Sequence, residues 1–415
     1  MSSIAAKPRR RAEKSLGVYQ DGPFTLVATP VGPRLAPDPV DAPFLRFVVG
    51  VADHFDELTV FARVVDNKPA DSRLFLPPAT RVVELPDYGS LRRLGPVARS
   101  TLRTAAAFWR GLDGVDVVWA FGPHPFQLML VAFARLRRKR VVLGVRQDTP
   151  AYFRARLPSR SWRPLLVLVA AMDATHRCLA RRMRATVVGE SNADRYGHAR
   201  NVLSMMPSLV HEADVVAAAP TRDWKGEIEL LTVGRIDAEK NPAVVVDAVA
   251  ALNAIRPGMF RLRWIGDGPL AEAVRQRAVM RGVGDRIELL GYIPFGPELL
   301  AAYRHAHVFV HVSLTEGVPQ VLVEAFASGT PVVATDVGSV RHGVDGGRSA
   351  LLVPPSLPEA IAEAVLTIVD DADVRDRLVT HGLETARART FEAEAARVAN
   401  FITRACTSGG RLTGS

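Results

Sequence analysis

The sequence predicts an α/β protein built from two doubly wound domains, each a parallel sheet with helices on both faces. Three observations carry that expectation. The chain has 415 residues, room for two or three domains at about 100–200 residues each. Short β-rich runs alternate with helical stretches, and the alternation runs through twice. Charge is also divided: residues 1–212 hold 32 Lys and Arg against 18 Asp and Glu, and the remainder holds 21 against 25. A basic front half and a mildly acidic back half read as separate domains, with an anionic partner for the front one.

In the front half the strands are expected at 24–29, 58–63, 81–85, 115–120, 140–145 and 185–189. Several are continuous apolar runs, as in parallel strands buried on both faces. Helices are expected at 91–109 and 126–137. The back half predicts strands at 229–234, 261–266, 287–290, 308–312 and 331–334, with helices at 242–255, 270–281, 298–305 and 320–328. Residues 1–20 read as a basic, disordered tail, 21–212 as the first domain, 213–225 as a linker and 226–390 as the second domain. Residues 391–415 read as a last helix with a frayed Gly/Ser-rich end. Two such domains facing each other make a cleft, and ligands of open parallel sheets sit at the carboxyl ends of the strands.

Composition narrows the function classes. Apolar residues at 48% and charged residues at 23% are near the globular average and exclude wholesale disorder. The two cysteines, Cys178 and Cys406, make no disulfide framework and no metal-ligand spacing, so a cytoplasmic setting is expected. Arg9, Arg10 and Arg11 are followed by no apolar stretch of the kind a secretory signal needs. The longest apolar runs, 128–134 and 165–172, fall short of the roughly 18–20 residues of a membrane-spanning helix.

Three strand ends carry candidate chemistry. After the strand at 308–312 comes Glu316-Gly317-Val318-Pro319-Gln320-Val321, with Glu324 eight positions beyond Glu316. Pro319 marks a helix start, where free backbone N–H groups and a positive dipole end favour an anion. Eight helical residues span about 12 Å, so the two carboxylates cannot share a proton or a metal. They can grip two ends of one elongated ligand, or they can be solvated surface acids. Glu324 precedes the apolar Ala325-Phe326-Ala327, which favours a hydrogen-bonding role. After the strand at 229–234, Gly234-Arg235 is followed by Lys240-Asn241-Pro242. Two cations on one loop can hold a diphosphate, or the loop can be an ordinary charged turn capped before a helix. After the strand at 261–266, Gly266-Asp267-Gly268-Pro269 permits close backbone approach to a ligand, although such a loop can equally be a simple turn.

Together these segments resemble the family-four glycosyltransferases, retaining enzymes with two Rossmann-like domains facing across a cleft, the GT-B fold. The resemblance is strong over 229–354 and covers the front half only in layout. It implies transfer of a sugar from a UDP- or GDP-sugar to a hydroxyl acceptor, such as a lipid-linked or cell-envelope glycan, with no metal or other cofactor. It implies that Arg235 and Lys240 bind the donor diphosphate and Glu316 the donor sugar. Gly317, Val318 and Pro319, with Gln320 and Val321, would lie along sugar and phosphates. Glu324 would hold the ribose, and Tyr292 and Ile293 the base. Gly234, Gly266 and Gly268 complete the implied donor site.

The front half departs from the family. The loop after its first strand, Thr29-Pro30-Val31-Gly32-Pro33-Arg34, has a single glycine. Gln147 stands where many members have a His before Asp148. His124, Gln147 and Asp148 are the candidate sugar or acceptor contacts. In the back half, Gly338-Ser339-Val340-Arg341-His342 lacks the acid that many members carry there. Two clusters, Arg135–Arg140 and the arginines of 154–184, suggest an anionic membrane surface as a partner and a peripheral position at the inner face of the cell membrane. A solvated basic face is the plainer reading. Nucleic acid is not expected, because no aromatic stacking pattern accompanies the charge. The alternatives to a transferase are a nucleotide-sugar epimerase and a non-catalytic nucleotide-sugar or glycan-binding assembly protein.

Overall fold

The computed structural model describes residues 15–27, 34–37, 41–65, 75–87, 94–146, 149–150, 153, 163–197, 201–316 and 319–407. These fall into two compact units, one of residues up to Val188 with Asn192–Met205 and the chain from Ala395 onward, the other of Gly189–Ser191 with Met206–Glu394. The chain thus crosses between units more than once, and the helix Phe391–Thr407 begins in one and continues in the other. Residues 213–225, read from sequence as a linker, lie within the second unit, where Arg222 donates to the carbonyls of Gly329 at 3.0 Å and Arg304 at 3.1 Å.

The first unit is an eight-stranded sheet of β1 (Ser15–Val27), β2 (Arg34–Pro37), β3 (Glu57–Val65), β4 (Arg81–Leu85), β5 (Val117–Gly122), β6 (Arg140–Val145), β7 (Arg184–Val188) and β8 (Val202–Met205). The spatial order is β4-β3-β1-β5-β6-β7-β8, with β2 added antiparallel to β1 and every other pairing parallel. The apolar runs Val117–Ala120 and Val141–Val145 are buried on both faces, apart from Gly144 without a side chain, as two-sided parallel strands require. β1 starts at Ser15, well before the expected position 24. Ser15–Gln20 are buried strand rather than tail. Their mixed polarity hid the strand: Ser15 is held by its N–H on Asp116 at 3.0 Å, which satisfies a polar group inside the sheet. The strands β2 and β8 and the helix Ala42–Ala52 were not legible either, the strands because four residues are too few for a periodic signal.

The second unit is a six-stranded parallel sheet of β9 (Ile228–Val233), β10 (Phe260–Ile265), β11 (Ile287–Gly291), β12 (Val308–His311), β13 (Val332–Thr335) and β14 (Leu351–Val353), in the order β11-β10-β9-β12-β13-β14. Alternate residues face opposite cores. Leu230, Trp264 and Val333 pack on one side with the helices Pro242–Ile255 and Pro358–Asp370. Leu231, Phe309 and Val332 pack on the other with Tyr303 and Phe326. The strand order reverses between β9 and β12. At such a switch point the flanking loops diverge and leave a crevice outside the carboxyl ends.

Candidate functional site

The loops that leave β9, β10, β12 and β13 are stitched together by their backbones. Ile236 donates to Asp267 at 3.0 Å, Leu314 to Glu239 at 2.8 Å, and Ser339 to the Glu316 carbonyl at 3.3 Å. The cations and carboxylates singled out in the sequence stand on this framework. Asp237 caps the short turn Ala238–Lys240 through its carboxylate, and Asn241 in the left-handed region turns the chain into the helix Pro242–Ile255. That places Lys240 against Glu316, with which it forms an ion pair. Arg235 remains 61% exposed, paired with Asp237 at 3.0 Å and Glu239 at 3.1 Å.

Glu316 is the centre of a buried polar knot. Its Oε1 accepts from Ser313 Oγ at 2.7 Å and lies 3.0 Å from His311 Nε2, as well as meeting Lys240. Burial pushes this carboxyl upward, but His311 and Lys240 together outweigh it and hold the group down at about 2. Burial lowers the His311 imidazole in turn, against the pull of Glu316. Glu316 is therefore an anion at neutral pH and has no proton to donate.

Glu324 stands in the opposite condition. It lies in the helix Gln320–Ala327, buried, and accepts from the Tyr303 hydroxyl at 2.9 Å. Burial raises it to about 7, against the hydrogen bond from Tyr303. The helix starts directly after Pro319, so the N–H groups of Gln320 and Val321 are not used within it. Gly317 and Val318 lie outside the described residues.

The glycines of these loops serve backbone packing. Gly266, at φ 141°, sits so close to the β9 loop that a Cβ would stand 2.0 Å from the Gly234 carbonyl oxygen. At Gly268 the atom met would be the Ile236 oxygen, at 2.4 Å. Gly338, at φ 55°, would clash in the same way with the Glu316 oxygen, at 2.0 Å. Gly234 accepts from Trp264 Nε1 at 3.0 Å, locking the end of β9. Gly266→Ala is therefore expected to destabilise the second unit by about 3 kcal/mol or more, through clash and strain combined. Chemical denaturation checks this, and an unchanged midpoint would contradict it.

Tyr292 follows β11 and is 72% exposed, while Ile293 is half-buried against the core. In the first unit His124 follows β5 at the corresponding strand-order reversal. Its Nδ1 lies 3.3 Å from the Tyr19 hydroxyl and its Nε2 3.4 Å from Asp21 Oδ2. Burial lowers this imidazole, with Asp21 opposing. Gln147 and Asp148 lie outside the described residues. Sequence reasoning missed His311, Ser313 and Tyr303. A histidine in the apolar run 308–312 was the one signal available for the first; Tyr303 reaches Glu324 only because two helices pack together.

Residues 227–371 match the family model described as Glycosyl transferases group 1. A D-inositol 3-phosphate glycosyltransferase of Corynebacterium glutamicum is 36% identical over 174 residues, covering 41% of this chain and 41% of that protein. The chain thus spans less than half the length of the first curated relatives it matches. Among solved structures, sucrose-phosphate synthase from Thermosynechococcus elongatus covers 95% of this chain and 100% of its own, with a TM-score of 0.65 at 19% identity. The HepE protein of Anabaena, in complex with UDP and glucose, covers 96% and 100%, with a TM-score of 0.62 at 16% identity. Residues 227–371 thus carry the likeness to Glycosyl transferases group 1, and the chain as a whole shares the GT-B fold of these solved structures.

Proposed function

We propose that the protein is a retaining glycosyltransferase that takes a sugar from a UDP- or GDP-sugar and passes it to a hydroxyl acceptor, a lipid-linked or cell-envelope glycan. The observation that carries this is the Lys240–Glu316 ion pair, which joins the loops after β9 and β12 at the reversal of strand order. In this reading a diphosphate would be met by Lys240, Arg235 and the N–H groups of Gln320 and Val321. These would stabilise negative charge as the nucleoside diphosphate leaves. Glu316, ionised, orients sugar hydroxyls by accepting their hydrogen bonds. Glu324 takes the ribose hydroxyls, and exposed Tyr292 offers its face to the base.

In this reading the acceptor attacks from the face the leaving group departs, and the leaving diphosphate takes the acceptor proton. The bond from anomeric carbon to acceptor oxygen forms as the bond to the phosphate oxygen breaks, with configuration kept. The cationic side chains and helix start supply the positive charge that the departing diphosphate needs, without calling on a metal. His124, Gln147 and Asp148 remain the proposed acceptor-side contacts. The relative of Corynebacterium, named as a D-inositol 3-phosphate glycosyltransferase, supports sugar transfer, and the structure of HepE with UDP and glucose supports a UDP-linked donor.

The test is release of nucleoside diphosphate from a panel of UDP- and GDP-sugars, with and without hydroxyl acceptors. Acceptor-dependent release, with the anomeric configuration retained by NMR, is the expected result. Conversion of the sugar without any acceptor would identify an epimerase instead. Binding without turnover across the panel would favour an assembly protein.

A further inference from the structure

The first unit presents a second feature, unrelated to the donor site. The helices Leu94–Gly111 and Pro125–Leu136 pack side by side. Trp109 meets Phe133 edge to face, and Arg137 lies over the Trp109 ring at 5.1 Å while donating to the Trp109 carbonyl at 2.6 Å. Large apolar side chains stand in solvent on the outer side: Leu102 is 76%, Trp109 45% and Leu136 71% exposed. Leu102, Ala106 and Trp109 recur at helical spacing on one face, with exposed Arg103 and Arg110 beside them. Arg135 and Arg138 are exposed at the end of the second helix.

The charge on this surface has one sign. No Asp or Glu occurs between Asp87 and Asp113, nor between Asp116 and Asp148. Asp113, at the edge, is bound to Arg137 at 2.6 Å and so is already neutralised. Exposed leucine and tryptophan flanked by arginine is the composition of an interfacial surface: the rings and aliphatic groups enter the acyl boundary while the guanidinium groups meet phosphate. No described helix is long and apolar enough to cross a membrane, so the contact would be peripheral.

We propose that the outer faces of these two helices form a docking surface for an anionic phospholipid membrane, with Leu102, Trp109 and Leu136 inserted and Arg103, Arg110, Arg135 and Arg138 on the headgroups. Charge complementarity selects this occupant. A nucleic acid would leave the exposed leucines unused, and a protein partner would have to be uniformly acidic around an apolar centre. The surface stands independently of the donor chemistry.

The test is co-sedimentation of the full chain with vesicles of phosphatidylcholine alone and of phosphatidylcholine with an equal part of phosphatidylglycerol. Binding is expected to the mixed vesicles only and to fall steeply as salt is raised. Arg103→Glu with Arg135→Glu should lower it at least tenfold, and Leu102→Ser with Leu136→Ser should do likewise. All four side chains are exposed, so melting of the variants should be unchanged. Equal binding to neutral and anionic vesicles, or binding unaffected by both pairs of substitutions, would overturn the proposal. So would no vesicle binding at all.

Discussion

Lys240→Ala is expected to lower turnover about 10²–10³-fold, the scale seen when one preorganised donor to a developing negative charge is removed. The same substitution is expected to weaken the fold, because Glu316 keeps its ionised carboxylate in a buried position after losing its cation. These two effects separate in the double variant. Lys240→Ala with Glu316→Gln removes the unpaired charge, so stability should recover while turnover does not. Steady-state kinetics and denaturant melts on the two single variants and the double variant measure both. Turnover that returns with stability would show Lys240 to be structural and its assigned role to be wrong.

The pH dependence of stability is expected to carry two limbs of opposite sign from the two carboxylates. Glu316 is depressed to about 2 in the folded chain. Its contribution is therefore complete above its unfolded value of about 4.5 and lost as pH falls toward 2. Glu324 is raised to about 7. Between about 4.5 and 7 the folded state keeps a proton that the unfolded state has lost, so stability falls as pH rises through that window and levels above it. Each limb is worth about 3 kcal/mol, from about 1.4 kcal/mol per unit. Glu316→Gln should flatten the acid limb, and Glu324→Gln the limb up to neutrality. Difference curves against wild type isolate each group from the buried histidines, among them His176, which burial lowers to about 4. A Glu324→Gln curve parallel to wild type between these values would contradict a carboxyl raised by burial there.

The fold was largely legible because parallel strands buried on both faces write themselves as apolar runs. The strands at 81–85 and 140–145 and the helix at 242–255 have the bounds read from sequence. β1 was misread at its start because Ser15, Gln20 and Asp21 interrupt the run, and Ser15 and Asp21 meet residues remote in sequence, Asp116 and Arg63. Arg235, Lys240, Glu316 and Glu324 were visible from their positions after strands. Their states were not. That Glu316 is held ionised by Lys240 and His311 while Glu324 is pushed toward neutrality follows from contacts between separate strand ends and helices. The glycines of the loop after β10 were read as permitting approach of a ligand or as marking a simple turn. At Gly266 and Gly268 the room is taken by the backbone of the β9 loop, which no local pattern announces.

The most direct test of a nucleotide site at this strand-order reversal is thermal stabilisation by UDP, GDP and ADP, for wild type, Glu324→Ala and Glu324→Gln. A ligand at a hundredfold excess over Kd adds about 2.7 kcal/mol to the folded state. One nucleotide is expected to raise the wild-type midpoint, and the shift should vanish in Glu324→Ala and shrink in Glu324→Gln, where an amide still meets the ribose. An equal shift in all three proteins would contradict the ribose role of Glu324, and no shift with any nucleotide would contradict the donor site itself.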